Sequence, residues 1–329
     1  MRHTCSGPVV GVLLGILASL PLPAGGSEPR PAIDSEPLPD TGDTKADVVQ
    51  ENISARVADA AGWLDSFFGN DNYEYESNKT RLTAGLSSFS EKGEGTDLKL
   101  DTSLRLNLPY LEDRLRLTLS GASQDFDTTD SDWEDIEEDI RGTDERNLRA
   151  ALTYFFRQGD RRNLSLSAGV RSRDGKAAFY LQPRYRHTWY RGDWDLRFVQ
   201  KVSWYTDTSW DARGELQLER LLGGEWLFRT TGRVNWYEEE DGVFPQLNFG
   251  WHRRLSERRA LSITWQNYFE TRPSSVLDSS TLRLRYRQQV WRRWLWLSVS
   301  PQLVFPRDQD YDTVPGIMIE VEARFQERS

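Results

Sequence analysis

The chain has 329 residues, a formal net charge of −9, 12% aromatic residues and 13 tryptophans. Its single cysteine, Cys5, lies ahead of the first apolar run, which excludes a disulfide-stapled scaffold and thiol chemistry in everything that follows. The sequence carries no Gly-rich phosphate loop, zinc-ligand spacing or cofactor fingerprint, so no cofactor or metal is expected.

In chain order, Arg2 is followed by the apolar run Val9 to Leu20 and then by Ala24-Gly25-Gly26. A membrane helix needs about 20 apolar residues, and this run is shorter. The pattern predicts a signal peptide over 1–26. Residues 27–43, rich in Pro, Asp, Glu and Gly, read as a disordered linker. A helical pattern follows over 44–70. Thr44 and Asp47 resemble a capping box, and Val49, Ile53, Val57, Ala60, Leu64 and Phe67 recur at three- and four-residue steps before Gly69-Asn70. This periplasmic amphipathic helix could pack under a rim, plug a lumen or dock a partner.

From Lys79 onward the period changes to two. Leu98, Leu100, Leu104, Leu106 and Leu108 alternate with Lys99, Asp101, Ser103 and Arg105, and Leu282, Leu284 and Tyr286 alternate with Arg283, Arg285 and Arg287. Segments of about ten residues repeat this pattern between short polar turns. Fourteen are expected, starting near Lys79, Asp97, Arg114, Arg146, Arg162, Ala177, Asp193, Ser209, Glu225, Phe244, Arg259, Asp278, Trp294 and Val314. Twelve remain possible if weak pairs beside Thr206-Asp207-Thr208 merge. With a periplasmic N-terminus, tight turns such as Arg191-Gly192 and Gly223-Gly224 fall in the periplasm, and the long connection Ser123 to Glu145 falls outside.

The last segment, Ile317-Met318-Ile319-Glu320-Val321-Glu322-Ala323-Arg324-Phe325, alternates strictly and ends on an aromatic. It resembles the terminal strand of Gram-negative outer-membrane β-barrel proteins, a porin-like class. The resemblance implies an all-β, antiparallel transmembrane barrel over 79–326 in the cell outer membrane, monomeric, contacting outer-membrane lipid and lipopolysaccharide. It also implies recognition by the barrel assembly machinery through this strand. Trp189, Tyr190, Trp194, Trp226, Trp251, Trp291, Trp294 and Trp296, with Tyr154, Phe155 and Phe156, fit interfacial girdles. A soluble β-sandwich is the competing architecture.

The faces opposite the apolar rows are rich in cations, among them Arg81, Lys99, Arg105, Arg116, Arg149, Arg171, Arg197, Lys201 and Arg324. The acids there are Asp101, Glu215, Glu219, Glu270, Glu320 and Glu322. A charge facing lipid near the midplane costs about 2–4 kcal/mol, so these rows are expected to face a lumen. A basic wall favours anions. The functional expectation is a passive channel for small anionic solutes, with Arg184, Arg186, Arg229, Arg233, Arg283, Arg285 and Arg287 as lumen-lining candidates. The alternative is a non-conducting structural or envelope-assembly barrel stabilised by internal Arg–Glu networks. A more remote one is a lipid-modifying enzyme. His187 and His252 would be its bases, yet both fall near periplasmic strand ends and neither sits in a His-x-Ser or Asp-x-His pattern, so no catalytic residue is assigned. The acidic loop 123–145 reads as solvated, lumen-folded or ion-binding, without calcium-loop spacing. Basic residues interleaved with a lipid face do not favour nucleic acid.

Overall fold

The computed structural model describes residues 56, 57, 59–63, 67, 80–92, 96–107, 114–122, 147–159, 161–173, 176–240 and 242–326. The chain divides into residues 1–48 and 49–329, and the first unit lies wholly outside the described residues. The expected signal peptide, linker, first part of the helix and acidic loop therefore also lie outside them.

Fourteen strands follow one another: β1 (Arg81–Glu91), β2 (Thr96–Asn107), β3 (Leu115–Ala122), β4 (Asn147–Arg157), β5 (Arg162–Arg173), β6 (Lys176–Arg191), β7 (Trp194–Tyr205), β8 (Ser209–Leu222), β9 (Trp226–Tyr237), β10 (Val243–Ser256), β11 (Arg259–Glu270), β12 (Val276–Gln289), β13 (Leu295–Pro306) and β14 (Val314–Gln326). Each pairs antiparallel with its sequence neighbours, and β1 closes on β14, with Leu82 opposite Phe325 and Ser90 opposite Ile317. Closure satisfies both edges, which a sheet in lipid requires. The strand count is fourteen rather than twelve, and β7 and β8 are separate strands across Thr206–Thr208.

The alternation in sequence becomes two faces. Leu98, Leu100, Leu148, Leu164, Leu216, Leu282, Leu284, Ile317 and Ile319 stand exposed on the outside. Between them Lys99, Arg184, Arg233, Arg285, Arg287 and Glu322 turn inward and are buried. A soluble protein with this many exposed leucines would be driven to hide them, at about 25 cal/mol per Å² of apolar surface. Apolar outside and charged inside is the distribution a lipid-embedded cylinder demands. Among the described residues no helix is long and apolar enough to cross a membrane.

The tight turns sit where the N-terminal side emerges. Gly192 between β6 and β7 has φ +60, and Gly223 and Gly224 between β8 and β9 have φ +58 and +76, left-handed values that cost glycine nothing. Outward aromatics line these ends. Trp194 contacts Phe228, Phe228 contacts Trp251, and Trp294 stacks on Phe325. Two expected girdle residues are corrected. Phe155 and Trp296 occupy inward positions of β4 and β13, because the period of two places them in register with Thr153 and Ser298.

The helical segment survives in part: residues 56, 57, 59–63 and 67 are helical. It does not lie beneath the rim. Val57, Ala61 and Phe67 are buried against Leu227 and Ala260, with Trp63, Leu221 and Trp296 packed around them. Leu221, Leu227, Ala260 and Trp296 are inward-facing residues one position inside the tight-turn ends of β8, β9, β11 and β13. The helix therefore sits in the mouth of the lumen.

Candidate functional site: the charged lumen

Sequence and register divide the lumen into three walls. On the wall of β7 to β9, cations are matched by carboxylates. Arg229 donates through Nε to Glu219 Oε1 at 2.6 Å, and Gln217 donates to the same oxygen at 2.9 Å. Arg233 donates through Nε and Nη2 to Glu215 Oε2 at 3.1 and 3.0 Å, and through Nη1 to Gln246 at 3.3 Å. Asp195, also buried on this wall, is a lumen acid that the pattern reading had not singled out.

The wall of β12 to β14 is matched in part. Arg285 reaches Glu320 at 3.2 Å; Arg287 reaches Glu322 at 2.9 Å, and Arg324 meets the other Glu322 oxygen at 2.8 Å. Arg283 is held by a neutral acceptor, donating to Gln302 Oε1 at 2.8 Å.

The wall of β3 to β6 differs in kind. Its inward positions carry Arg116, Arg149, Arg171, Arg184 and Arg186, and no Asp or Glu. Several of these cations contact neutral groups. Arg116 lies over Phe155 at 4.9 Å and Arg149 over Tyr180 at 5.4 Å. Arg186 donates to Thr188 Oγ1 at 2.8 Å and to the Gly159 carbonyl at 2.6 Å. Cation–π and carbonyl contacts fix a guanidinium without cancelling its charge. Arg171, near the C-terminal end of β5, is paired to Asp207 of the β7–β8 turn at 3.0 Å and covers Tyr205 at 3.7 Å. Burial pushes the Asp207 carboxyl up, but the hydrogen bond and charge of Arg171 outweigh it and hold the group below its ordinary value.

The candidate arginines thus all face the lumen, but they do different jobs. Arg229, Arg233, Arg285 and Arg287 are members of ion pairs, whereas Arg184 and Arg186 stand on the carboxylate-free wall. His252 faces the lumen and shares a 2.9 Å hydrogen bond with Ser262 Oγ, while His187 faces outward, stacked on Trp189. The Ser262 contact was invisible in sequence because it arises from strand pairing ten residues apart. No group of His, Cys, Asp and Glu able to hold a metal occurs among the described residues.

A closed, even-stranded cylinder with a leucine exterior, aromatic ends and a charged interior is an outer-membrane β-barrel, and that is the class of this protein. No family model matches the chain, and no curated protein matches it in sequence. Among solved structures it is similar to a loop L8 deletion mutant of OmpT, an outer membrane protein of Vibrio cholerae, at 8% identity and TM-score 0.45 over 75% of this chain and 98% of that one. It is similar as well to OpdK of Pseudomonas aeruginosa, solved with vanillate, at 9% identity and TM-score 0.43 over 76% and 98%. A third is the outer membrane channel DcaP of Acinetobacter baumannii, at 8% identity and TM-score 0.42 over 75% and 96%.

Proposed function

We propose that this barrel is a passive channel for small anionic solutes across the outer membrane, shut at its periplasmic mouth by the helical segment in the resting state. The observation that carries the reading is the wall of β3 to β6, which offers the lumen cations and contributes no carboxylate of its own. Such a wall lowers the entry barrier for anions and raises it for cations.

Hydration of the lumen supports passage. Asn248, Gln266, Thr281 and Ser300 are inward-facing and buried, and each has a side-chain polar atom with no protein partner. Buried polar groups are satisfied almost without exception, so these atoms call for water. Fourteen strands also exceed the eight at which side chains fill a barrel. In this reading the partners are the lipids and lipopolysaccharide of that membrane, the solute, and the assembly machinery at the C-terminal strand. Planar-bilayer recording in a salt gradient tests it. The expected reversal potential has the sign of anion preference; cation preference, or no conductance even with the helix removed, overturns it.

A further inference from the structure

Two adjoining tight turns, between β10 and β11 and between β12 and β13, concentrate positive charge at one point of the barrel rim. They carry Arg258, Arg259, Arg292 and Arg293, all exposed. The turns lie side by side: the Gln289 backbone N–H donates to the Arg258 carbonyl at 2.9 Å, and Arg259 pairs with Gln288. The one carboxylate on these two turns, Glu257, is taken by Arg254. Arg259 alternates with the inward Ala260 and so faces outward, at the edge of the leucine surface.

Tryptophans flank the same cations. Trp291 is 81% exposed and holds a left-handed φ of +53, which a bulky residue seldom adopts. The Arg292 guanidinium lies 5.1 Å from its ring centroid, and the Trp294 ring meets it at 6.5 Å. Trp294 in turn stacks on the outward Phe325 at 5.2 Å. Indoles so placed suit headgroup depth, where the ring is apolar and its N–H is wet. The opposite end of the barrel has the reverse sign. Its connections expose Glu238, Glu239 and Glu240, and Asp308, Asp310 and Asp312, while Arg307 there is matched by Glu270 at 3.6 Å. Charge thus distinguishes the two rims.

We propose that Arg258, Arg259, Arg292 and Arg293, with Trp291 and Trp294, form a binding patch for the headgroups of anionic glycerophospholipids. Guanidinium forks take phosphate oxygens bidentately, and each arginine near an anionic leaflet adds an attraction that a zwitterionic leaflet does not give. The two indoles reach the glycerol and upper acyl region beside the bound phosphate. The patch lies outside the lumen, so the inference goes beyond the channel reading and does not depend on what the channel carries. With the tight turns in the periplasm, as the sequence predicts, the patch meets the phospholipid leaflet of the outer membrane.

The test uses the full chain refolded in detergent, with retained lipid counted by native mass spectrometry. Phosphatidylglycerol, phosphatidylcholine and lipid A are titrated separately. Phosphatidylglycerol is expected to bind about tenfold or more tighter than phosphatidylcholine, and Arg258→Gln/Arg259→Gln/Arg292→Gln/Arg293→Gln should lose most of that margin. Replacing the same four arginines by lysine keeps the charge, loses the forks and should retain part of the preference. Trp291→Ala should weaken phosphatidylglycerol severalfold, whereas Glu238→Gln/Glu239→Gln at the other rim should bind as the parent does. Heat-modifiable gel mobility reports that each variant is folded, and Arg292→Gln/Arg293→Gln serves if the fourfold change does not fold. Equal affinity for the two glycerophospholipids, or an undiminished preference in the folded glutamine variant, overturns the patch. So does a glutamine variant that loses lipid A binding and keeps phosphatidylglycerol. A barrel that shows the lipid preference and conducts no anions sinks the channel reading and leaves the patch standing.

Discussion

Phe67 meets the indole of Trp296 edge to face, with ring centroids 4.7 Å apart and planes at 85°, and the Trp63 ring centroid also lies 4.7 Å from that of Phe67. Arg254, on the inner face of β10, covers Trp63 at 4.4 Å. An aromatic wedge on the helix is thereby seated on an apolar ring in a lumen that is otherwise polar. Burying an aromatic side chain of this size contributes about 3 kcal/mol where it is lost to alanine. Phe67→Ala with Trp63→Ala should unseat the helix, raising the open fraction of channels in bilayers at least tenfold. A cysteine pair at Ala61 and Ala260, oxidised, should do the reverse, and a reductant should restore conductance. If neither change moves the open fraction, the helix is not the closure.

The Arg233–Glu215 pair is expected to matter for stability more than for selectivity. Its cation is wholly buried and the carboxylate nearly so. Removing one partner strands the other inside the wall, at a cost of about 3 kcal/mol. Glu215→Gln should therefore lower the urea midpoint of unfolding, whereas Glu215→Leu with Arg233→Met should return it close to the parent value. The reversal potential should change little in the double variant. A large shift in selectivity with unchanged stability would contradict the structural role assigned to this pair.

Most of the fold is legible in the sequence because a period of two survives any register. Leu98, Leu100 and Leu104 announce their face without reference to a neighbour, and each strand begins within two residues of its expected start. Long-range pairing is not legible in the same way. Arg285 and Glu320 lie thirty-five positions apart and meet through β13, and nothing local distinguishes Arg285 from Arg184. Trp296 looked like one more interfacial tryptophan. The available signal was its phase: it alternates with Leu295 and Leu297 and so shares a face with Ser298. Leu227 carried the same signal, being in phase with Arg229. Apolar residues in the polar phase mark the seat of the helix.

The outer end of the lumen should respond to acid. Asp207 is held below its ordinary value by Arg171, against the opposing effect of burial. A carboxylate depressed in the folded state stabilises that state above its unfolded pKa and loses the contribution as pH falls through the folded one. The Arg171–Asp207 contact is thus intact at neutral pH and released only as pH falls below the ordinary carboxylate range. Both groups are partly exposed, so the contribution is below about 1 kcal/mol after solvent screening. Tyrosine signals from Tyr205 should shift over that window in the parent, and Asp207→Asn should abolish the shift. A shift that persists in Asp207→Asn would assign the acid response elsewhere.

Gly169 offers the sharpest packing test. A Cβ there would fall 2.3 Å from the Ala150 carbonyl oxygen and 2.8 Å from the Tyr180 ring, which lies across the glycine. The first atom is backbone and cannot swing aside, so Gly169→Ala must part β4 from β5 or displace Tyr180 and, with it, the Arg149 guanidinium. Overpacking of this kind costs about 1–3 kcal/mol. Gly232, on the outer face of β9, meets nothing within 4 Å of the same added atom. Gly232→Ala should be neutral or slightly stabilising, since it removes chain entropy from the unfolded state. Urea midpoints of the two variants, measured side by side, should differ by the full overpacking cost. Equal midpoints would mean that Tyr180 does not close over Gly169, and the aromatic support assigned to Arg149 would fall with it.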